Sequence, residues 1–391
     1  MFATFLTGSS HKEPTMVVIK NYVPVLRWKK AERDALAKLD PKVRENITPL
    51  FELIMPAPKR DKGDYNKILS DSRTVLQINL PSTIEALNKC CPIDSTAFVD
   101  VHLIDGELRS ATLKQVLDDA LESSSTTLIP VTHIIPVLST DADMATRKVA
   151  VDYAVTSDNG LCIRIDRYSL DDENLDQVVT AFVAHNKLDI SKTDLLIDLG
   201  VIDENDDSNK VAEQLERLPS IDRWRTVILS GGAFPRDLSE FEKHSHNQVT
   251  RHDWRIWNEL RHNSKLSRFP YYSDYAIQHP IFYGQIAATN TSASVRYADD
   301  SQWEVSRGEG LRNKDGAGHQ QYPALAQLIV GQKYFKGESF SAGDKYISER
   351  AADSSKTGNP TTWLKAGLNH HLTLTTKQLA TSDETEETGE Q

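Results

Sequence analysis

Charged and polar residues stand near the ends of short apolar runs along the first part of this chain. They are Lys29, Glu52, Asn79, Asp100, His102, His133, Arg164, Asp166, Asp198, Ser230, Gly231 and Gly232. Carboxylates, imidazoles and cations that converge on one pocket can perform general acid–base catalysis or hold a metal ion. The residue types therefore allow hydrolytic chemistry, on the condition that the fold brings the ends of the runs together.

Two of these residues, Asp100 and His102, are two positions apart. Because side chains alternate along a strand, both would point to the same side. A structural interpretation stands beside the catalytic one, since Arg164 could form ion pairs with Asp166, Asp198 or Glu52 that satisfy polar groups at the ends of the runs. The sequence favours this structural or binding interpretation over catalysis.

Complete catalytic signatures are absent from the sequence. It contains no HExxH, GxSxG or P-loop pattern, and its three cysteines lack the spacing of a zinc site. Ser230, Gly231 and Gly232 follow the last run, where many barrel enzymes bind phosphate, but the same residues would also form a tight turn. Cys90 and Cys91 are adjacent and cannot build a disulfide framework, which favours a reducing cytoplasm.

The apolar runs that would carry these residues are short and rich in Val, Ile and Leu. They begin at Tyr22, Ile47, Thr74, Thr96, Leu128, Leu161, Asp194 and Arg225. Most are apolar on both faces, as buried parallel strands are. Successive runs start 22 to 33 residues apart, which leaves room for one helix between neighbouring strands.

The intervals between the runs show helical periodicity. Apolar positions recur at a spacing of three to four in residues 31–39, 110–121, 144–153, 175–185 and 209–218. A strand and a helix repeated in this way predict an α/β fold, a (β/α)8 TIM-like barrel over residues 16–264, which matches the usual length of about 250 residues. An open doubly wound sheet is the alternative, and the lack of a Gly-rich phosphate turn after the first run disfavours it.

The pattern changes after residue 264 and predicts a C-terminal α+β elaboration over residues 265–380, packed on the barrel. Segments 294–299 and 301–307 are typical of a hairpin, and 322–331 and 363–372 of helices. This region adds Asp274 and Arg307 to the candidate residues. The candidate pocket then comprises Lys29, Glu52, Asp100, His133, Arg164, Asp198, Asp274 and Arg307.

A tryptophan-rich segment, residues 251–262, has two alternative interpretations. Trp254 and Trp257 lie on one face of a predicted helix, with Arg251 nearby. They would either anchor the helix in the core or, together with Arg251 and Arg307, form a platform on which single-stranded nucleic acid stacks. Core anchoring is favoured, because a formal net charge of -11 opposes nucleic-acid binding.

The composition, 39% hydrophobic and 26% charged over 391 residues, is that of a folded globular chain. Residues 1–15 predict a disordered leader that lacks the features of a secretory signal, and residues 381–391, with five acidic residues and no basic one, predict a disordered tail. No stretch approaches the roughly 20 apolar residues of a membrane span, so we expect no membrane association.

Short words of sequence in a fixed order along the chain resemble the Beta protein family of phages, prophages and bacterial mobile elements. The words are Tyr22-x-Pro24-x-Leu26-x-x-Lys29-x-x-Glu32, Pro49-x-x-Glu52, Asp100, Pro130-Val131, Arg164, Asp198, Phe234-Pro235, Arg251-x-x-Trp254-x-x-Trp257, Asp274-Tyr275, Arg307-Gly308, Gln321-Tyr322, Gly343-Asp344, Trp363 and Asn369-His370-His371. The resemblance covers about residues 16–372. Ser273 stands where the family pattern has Gly before the Asp-Tyr pair.

The resemblance implies a role in a mobile-element cassette. In a satellite-phage cassette, the protein of this family suppresses the lethality of a neighbouring killer protein, and such cassettes are similar to anti-phage defence modules. We therefore expect a cytoplasmic protein that binds a toxic protein partner encoded nearby and neutralises or regulates it. The resemblance carries over no catalytic residues, and the sequence identifies no cofactor or metal.

The alternative expectation is an enzyme, a hydrolase or phosphodiesterase that acts on a nucleotide or another phosphorylated small molecule. Glu52, Asp100 and Asp198 would form its acidic centre beside Arg164, with His133 as the general acid or base. The sequence therefore leaves two candidate functions, binding of a protein partner and turnover of a small molecule.

Overall fold

The computed structural model describes residues 17–61, 63–64, 66–126, 132–284 and 290–389. The predicted leader, the start of the fifth predicted strand at Leu128 and the Pro130-Val131 pair lie outside the described residues. Strands occupy Val25–Arg27 (β1), Leu50–Glu52 (β2), Lys59–Arg60 (β3), Ile68–Ser70 (β4), Thr96–Asp100 (β5), His133–Ser139 (β6), Leu161–Asp166 (β7), Thr193–Val201 (β8), Val227–Gly232 (β9), Ser245–Thr250 (β10), Tyr271–Asp274 (β11), Ser292–Ala298 (β12) and Gln302–Gly310 (β13).

The helices that connect these strands match most of the predicted helical segments. They are Lys30–Ala37 (α1), Pro41–Arg44 (α2), Ser72–Asn79 (α3), Thr83–Cys90 (α4), Gly106–Thr126 (α5), Met144–Ser157 (α6), Arg167–Leu170 (α7), Leu175–His185 (α8), Ser208–Glu216 (α9), His252–Arg261 (α10), Tyr322–Val330 (α11), Ala342–Ala352 (α12) and Pro360–Gly389 (α13). Several begin at an aspartate whose carboxylate accepts a backbone N–H, as Asp143 does from Thr146 at 2.9 Å.

Eight parallel strands form one sheet in the order β1-β2-β5-β6-β7-β8-β9-β11. The sheet closes because the residues before β1 pair with β11. Tyr22 forms a parallel bridge with Tyr272, and the N–H of Val23 donates to the carbonyl of Tyr272 at 2.9 Å. The predicted (β/α)8 TIM-like barrel is confirmed, with helices between successive strands.

One of the eight predicted strands was placed wrongly, and one strand of the barrel was missed. The run that begins at Thr74 is part of helix α3, because the carboxylate of Asp71 accepts the N–H of Thr74 at 2.7 Å and caps a helix there. The eighth barrel strand is instead β11, which lies beyond the predicted boundary at residue 264. The barrel therefore takes in the first part of the region predicted as a C-terminal elaboration.

The interior of the barrel is filled by a layer of buried apolar residues. They are Val25, Leu50, Phe98, Val137, Cys162, Leu196 and Ile228. Because side chains alternate along a strand, the residue two positions further along also points inward, nearer to the carboxyl end. These positions hold Arg27, Glu52, Asp100, Ser139, Arg164, Asp198 and Ser230, which we call the polar layer.

The C-terminal region packs a second sheet and three helices against the barrel. Strands β12 and β13 form the predicted hairpin, and β10 pairs with the other side of β13. Helix α13 reaches back to the barrel helices, since the amide of Asn369 donates to the carbonyl of Ala35 at 2.9 Å. The described backbone of α13 continues to Gly389, into the acidic segment that was predicted to be disordered. Continuing an existing helix needs no new nucleus, so an acidic segment can follow it.

No helix in the part of the chain that the structure describes combines the length and the apolar character needed to cross a membrane.

The barrel interior generates a test of the fold. Phe98→Ala should lower the free energy of unfolding by about 3–5 kcal/mol, because it leaves a cavity among well-packed side chains. Urea unfolding measures the change, and Val155→Ala, at a side chain that is 74% exposed, is the control. The control should change the free energy of unfolding by less than about 0.5 kcal/mol. A loss below about 1 kcal/mol for Phe98→Ala would contradict the placement of this ring inside the barrel.

Candidate binding site at the barrel mouth

The carboxyl-terminal ends of the barrel strands form the mouth, where sites of barrel proteins are built. The guanidinium of Arg164 lies at its centre and is only 10% exposed. It donates to Asp100 at 2.7 Å, to Asp198 at 2.6 Å and to Glu52 at 3.1 Å, and a further N–H points at the Tyr275 hydroxyl at 2.7 Å. We call these five residues the Arg164 cluster.

Strand alternation positions the cluster. Glu52, Asp100, Arg164 and Asp198 belong to the polar layer, so the sequence brings them to one level of the barrel interior. The structural interpretation of Arg164 as the ion-pair partner of Asp198 and Glu52 is confirmed. Asp166, two residues after Arg164, instead caps helix α7 by accepting the N–H of Ser169 at 2.8 Å.

His102 lies at the edge of the cluster, with 37% of its side chain exposed. Its Nδ1 atom is 3.0 Å from the Asp100 carboxylate, and its Nε2 atom is 3.5 Å from Glu52. Burial alone would lower the pKa of His102, but the negative charges of Asp100 and Glu52 raise it above its ordinary value against the opposing charge of Arg164. The imidazole is therefore held in its protonated form over a wider pH range.

The surroundings of Asp100 hold it as a carboxylate. Burial would raise its pKa, but the charge of His102, its hydrogen bonds and the charge of Arg164 together hold the pKa well below its usual range. Its Oδ1 atom, which faces the His102 ring, also accepts the backbone N–H of His102 at 2.8 Å, and its Oδ2 atom accepts the hydrogen bond from Arg164. Asp100 is thus a permanent anion with partners on both oxygens and has little capacity to act as a proton donor.

The remaining acids of the cluster also have partners. Asp198 accepts hydrogen bonds from the Tyr275 hydroxyl at 2.8 Å and from the N–H of Gly200 at 2.9 Å. One oxygen of Glu52 is buried without a hydrogen bond among the described residues and lies 3.8 Å from the Nε atom of Arg27. Across the described ranges, no group of three His, Cys, Asp or Glu side chains is arranged to hold a metal ion.

A cavity of about 430 Å³ opens beside the mouth. Arg27 lies on its border and connects it to the polar layer, and Lys29 lies on its wall. Lys29 is therefore near the mouth as predicted, but it belongs to this neighbouring cavity rather than to the Arg164 cluster. Arg236 and Arg296 line the same cavity and were not predicted.

Three candidate residues lie elsewhere. His133 begins strand β6 at the opposite end of the barrel, 3.2 Å from Asp94, so it cannot serve chemistry at the mouth. Asp274 lies outside the barrel wall, and Arg307 lies on β13 and donates to the carbonyl of Phe241. His133 and Asp274 were misplaced because sequence patterns showed neither the ends of β6 nor the existence of β11. Arg307 was misplaced because β13 belongs to a sheet separate from the barrel.

Asp274 takes part in a buried polar network that joins the barrel to helix α13. It accepts the Tyr22 hydroxyl at 3.0 Å and lies 2.7 Å from His371. The neighbouring His370 instead faces Asp344 at 2.8 Å. The two adjacent histidines thus point to different carboxylates, and both pairs are fully buried. Their role is to hold the C-terminal helix in place.

The tryptophan-rich segment forms helix α10 and anchors it in the core. Arg251 has no exposed surface, and the buried Trp257 donates its indole N–H to the carbonyl of Pro270 at 3.0 Å. Trp254 stacks on Trp257 with ring centroids 5.5 Å apart. The core interpretation is confirmed. Arg251 and Trp257, two of the four residues of the alternative nucleic-acid platform, are buried and cannot stack on a ligand.

Sequence reasoning missed Tyr275 and Arg27 in the site. Arg27 follows the buried Val25 by two positions, and the same alternation that indicated Asp100 would have indicated it. Tyr275 follows β11, a strand of four residues in a Tyr-rich segment that carries no strong periodic signal.

Comparison with known proteins identifies the family of the chain that carries this site. A family model described as Beta protein matches residues 22–376, nearly the whole chain. No curated protein matches the chain. The match spans the barrel and the C-terminal sheet and helices, so it covers the Arg164 cluster and the neighbouring cavity together.

The contact between His102 and Asp100 generates a pH prediction. In an NMR titration the His102 ring should show a pKa above its ordinary value of about 6.5, and Asp100→Asn should lower that pKa. Because the folded-state pKa is raised, the stability that the protonated ring contributes is complete below about pH 6.5 and is lost as the pH rises through the folded-state pKa. Stability measured against pH in His102→Gln should lack this component.

His252 is the control for the titration, since burial lowers its pKa and it lies on helix α10, away from Asp100. Its titration should not change in Asp100→Asn. An unchanged or increased pKa of His102 in that variant would refute the assigned contact.

Proposed function

The chain belongs to the Beta protein family, and from this premise we propose that it is a cytoplasmic accessory protein of a phage or prophage. It binds a toxic protein encoded nearby and neutralises or regulates it, in a cassette comparable to an anti-phage defence module. Partner binding, rather than turnover, is the activity that the barrel mouth supports best.

An exposed apolar surface at the mouth carries this proposal. The chain between β2 and β5 forms the small hairpin of β3 and β4 followed by helix α3. Ile68 and Leu69 on the hairpin are 53% and 49% exposed, and Ile78 on α3 is 68% exposed. Large apolar side chains left exposed within one short segment are typical of surfaces that bind other proteins.

One connection along the chain and one contact locate this surface at the same end of the barrel as the Arg164 cluster. The hairpin follows Glu52, which lies at the carboxyl end of β2. The guanidinium of Arg73, at the start of α3, donates to Glu107 at 2.8 Å. Glu107 lies in the first turn of α5, directly after the carboxyl end of β5. The apolar surface and the polar mouth are therefore within reach of one partner.

The Arg164 cluster supports binding for a separate reason. Arg164 contacts three carboxylates at once, and its low exposure leaves little room for a substrate between them. The three carboxylates of the cluster all pair with Arg164 and are at most 10% exposed, so the cluster fixes the shape of the mouth and presents none of them as an accessible base or nucleophile.

The proposal predicts that the hairpin surface is required for neutralisation. The chain is co-expressed with the product of the gene next to it, and host survival and co-purification are measured. Ile68→Glu combined with Leu69→Glu should abolish both, because the added charges cannot be desolvated at an apolar interface. Circular dichroism verifies that the variant is folded.

The matched control is Val155→Glu combined with Val178→Glu, two exposed apolar positions on helices α6 and α8. This variant should protect the host as well as the natural chain does. Full protection by the hairpin variant, or equal loss in the control, would refute the hairpin surface as the binding site.

The half-exposed His102 beside Asp100 favours one alternative, a hydrolase or phosphodiesterase that acts on a nucleotide or another phosphorylated small molecule. The binding proposal predicts no hydrolysis of bis(p-nitrophenyl) phosphate or nucleotides, with or without Mg²⁺ or Mn²⁺, between about pH 5 and pH 9. It also predicts that Asp198→Ala, provided that the variant folds, still protects the host. A pH-dependent hydrolysis that is lost in both Asp198→Ala and His102→Gln would establish the enzyme instead.

A further inference from the structure

The cavity beside the mouth has the size of a small-molecule site. Its volume of about 430 Å³ lies within the range of roughly 300–1,000 Å³ typical of ligand pockets. One wall comes from the loop after β9, residues 235–237, and the others come from residues 278–284, from β12 and from the start of α13. The cavity thus lies between the barrel and the C-terminal region, outside the Arg164 cluster.

The lining of this cavity is strongly positive. Its charged side chains are Arg27, Lys29, Arg236, Arg296 and a single acid, Asp237. The whole chain carries a formal charge of -11, so the cavity reverses the sign of its surroundings. The carboxylate of Asp237 accepts the backbone N–H of Ser239 at 2.7 Å and forms no ion pair with the cations among the described residues.

Arg296 is the least compensated of the four cations. It donates to the carbonyl of Ile277 at 2.9 Å and lies over the ring of Phe234, 4.7 Å from its centroid. Among the described residues, no carboxylate lies within ion-pair distance of it. Burial lowers the pKa of Arg296 to about 10, which shows that the neighbouring groups do not offset its desolvation. A bound anion would supply the missing partner.

Lys29 and Arg236 also lack an acidic partner within ion-pair distance in the described part of the chain. Lys29 lies 4.9 Å from the ring centroid of Phe282, and Arg236 lies 3.7 Å from that of Tyr283. Ring contacts hold these side chains in place without neutralising them. Their N–H donors remain available to a ligand in the cavity.

Arg27 has a different task at the border of the cavity. It donates to the carbonyls of His279 and Pro280 at 2.7 and 2.8 Å. These bonds fix the segment that carries Phe282 and Tyr283 and so preform the wall of the cavity. A preformed site spends little of its binding free energy on ordering.

We infer that this cavity binds the phosphate group of a small phosphate monoester. Three cations without an acidic partner supply more positive charge than a single carboxylate would neutralise, which favours a ligand with a larger negative charge. The paired N–H groups of an arginine guanidinium also match the spacing of phosphate oxygens. The stacked rings of Tyr322 and Trp363, 5.1 Å apart, add an apolar wall for the remainder of the ligand. Binding here requires neither the toxic partner nor turnover, so this inference and the proposed function fail independently.

Isothermal titration calorimetry of the full chain tests the site with adenosine 5′-monophosphate, glucose 6-phosphate and inorganic sulfate. At least one of the two esters should bind, and its affinity should fall by about tenfold or more in Arg296→Gln and in Arg236→Gln. Arg73→Gln removes an exposed arginine that pairs with Glu107 outside the cavity, and it should leave the affinity unchanged. Urea unfolding verifies that each variant is folded.

Several results would overturn the inference. Failure of both esters to bind at concentrations up to about 10 mM would show that the cavity is not a phosphate-ester site. Equal affinity of the natural chain and the folded Arg296→Gln and Arg236→Gln variants would move the binding elsewhere. Sulfate binding as tight as that of the better ester would show a general anion effect rather than a phosphate-ester site.

Discussion

Three buried carboxylates from strands β2, β5 and β8 share the guanidinium of Arg164, and the mouth of the barrel depends on this arrangement. Isolated acids could not remain charged at the end of an apolar barrel, because their desolvation would cost more than the fold can offset. Breaking a buried pair by removal of one partner typically costs about 3–5 kcal/mol. Arg164 therefore allows the polar layer to exist, and the layer in turn holds His102 and Tyr275 at the mouth.

The register of the strands explains why much of this was predictable. Asp100, Arg164 and Asp198 stand near the ends of predicted strands, and this position predicted that they would meet at one end of the barrel. Each follows a buried apolar residue by two positions, so alternation explains why they point into the interior. The strand predicted at residue 74 was wrong. The run is rich in strand-forming residues, but the Asp71 carboxylate caps a helix that begins there. Strand β11 was not predicted, because its four residues show no regular pattern of apolar side chains. As a result, the predicted barrel ended at residue 264, before its last strand.

The neighbouring cavity could not be predicted from spacing. Lys29, Arg236 and Arg296 come from the barrel's first loop, its last loops and a separate sheet, and no local pattern relates them. The buried pairs of Asp274 with His371 and of Asp344 with His370 likewise join residues that no local sequence pattern relates. A sequence shows that such residues exist, but only the packing of helix α13 and strand β12 on the barrel shows which of them meet.

The closure of the barrel through Tyr22 and Tyr272 constrains the order in which the chain can fold during synthesis. The first strand leaves the ribosome long before its last neighbour exists, so its backbone groups on that side must wait unpaired. Helix α1 waits longer still, because Asn369 reaches the carbonyl of Ala35 only after the C-terminal helix has emerged. A nascent chain that stopped at residue 264 would present two open strand edges, β1 and β9, and would be prone to associate with other chains through them.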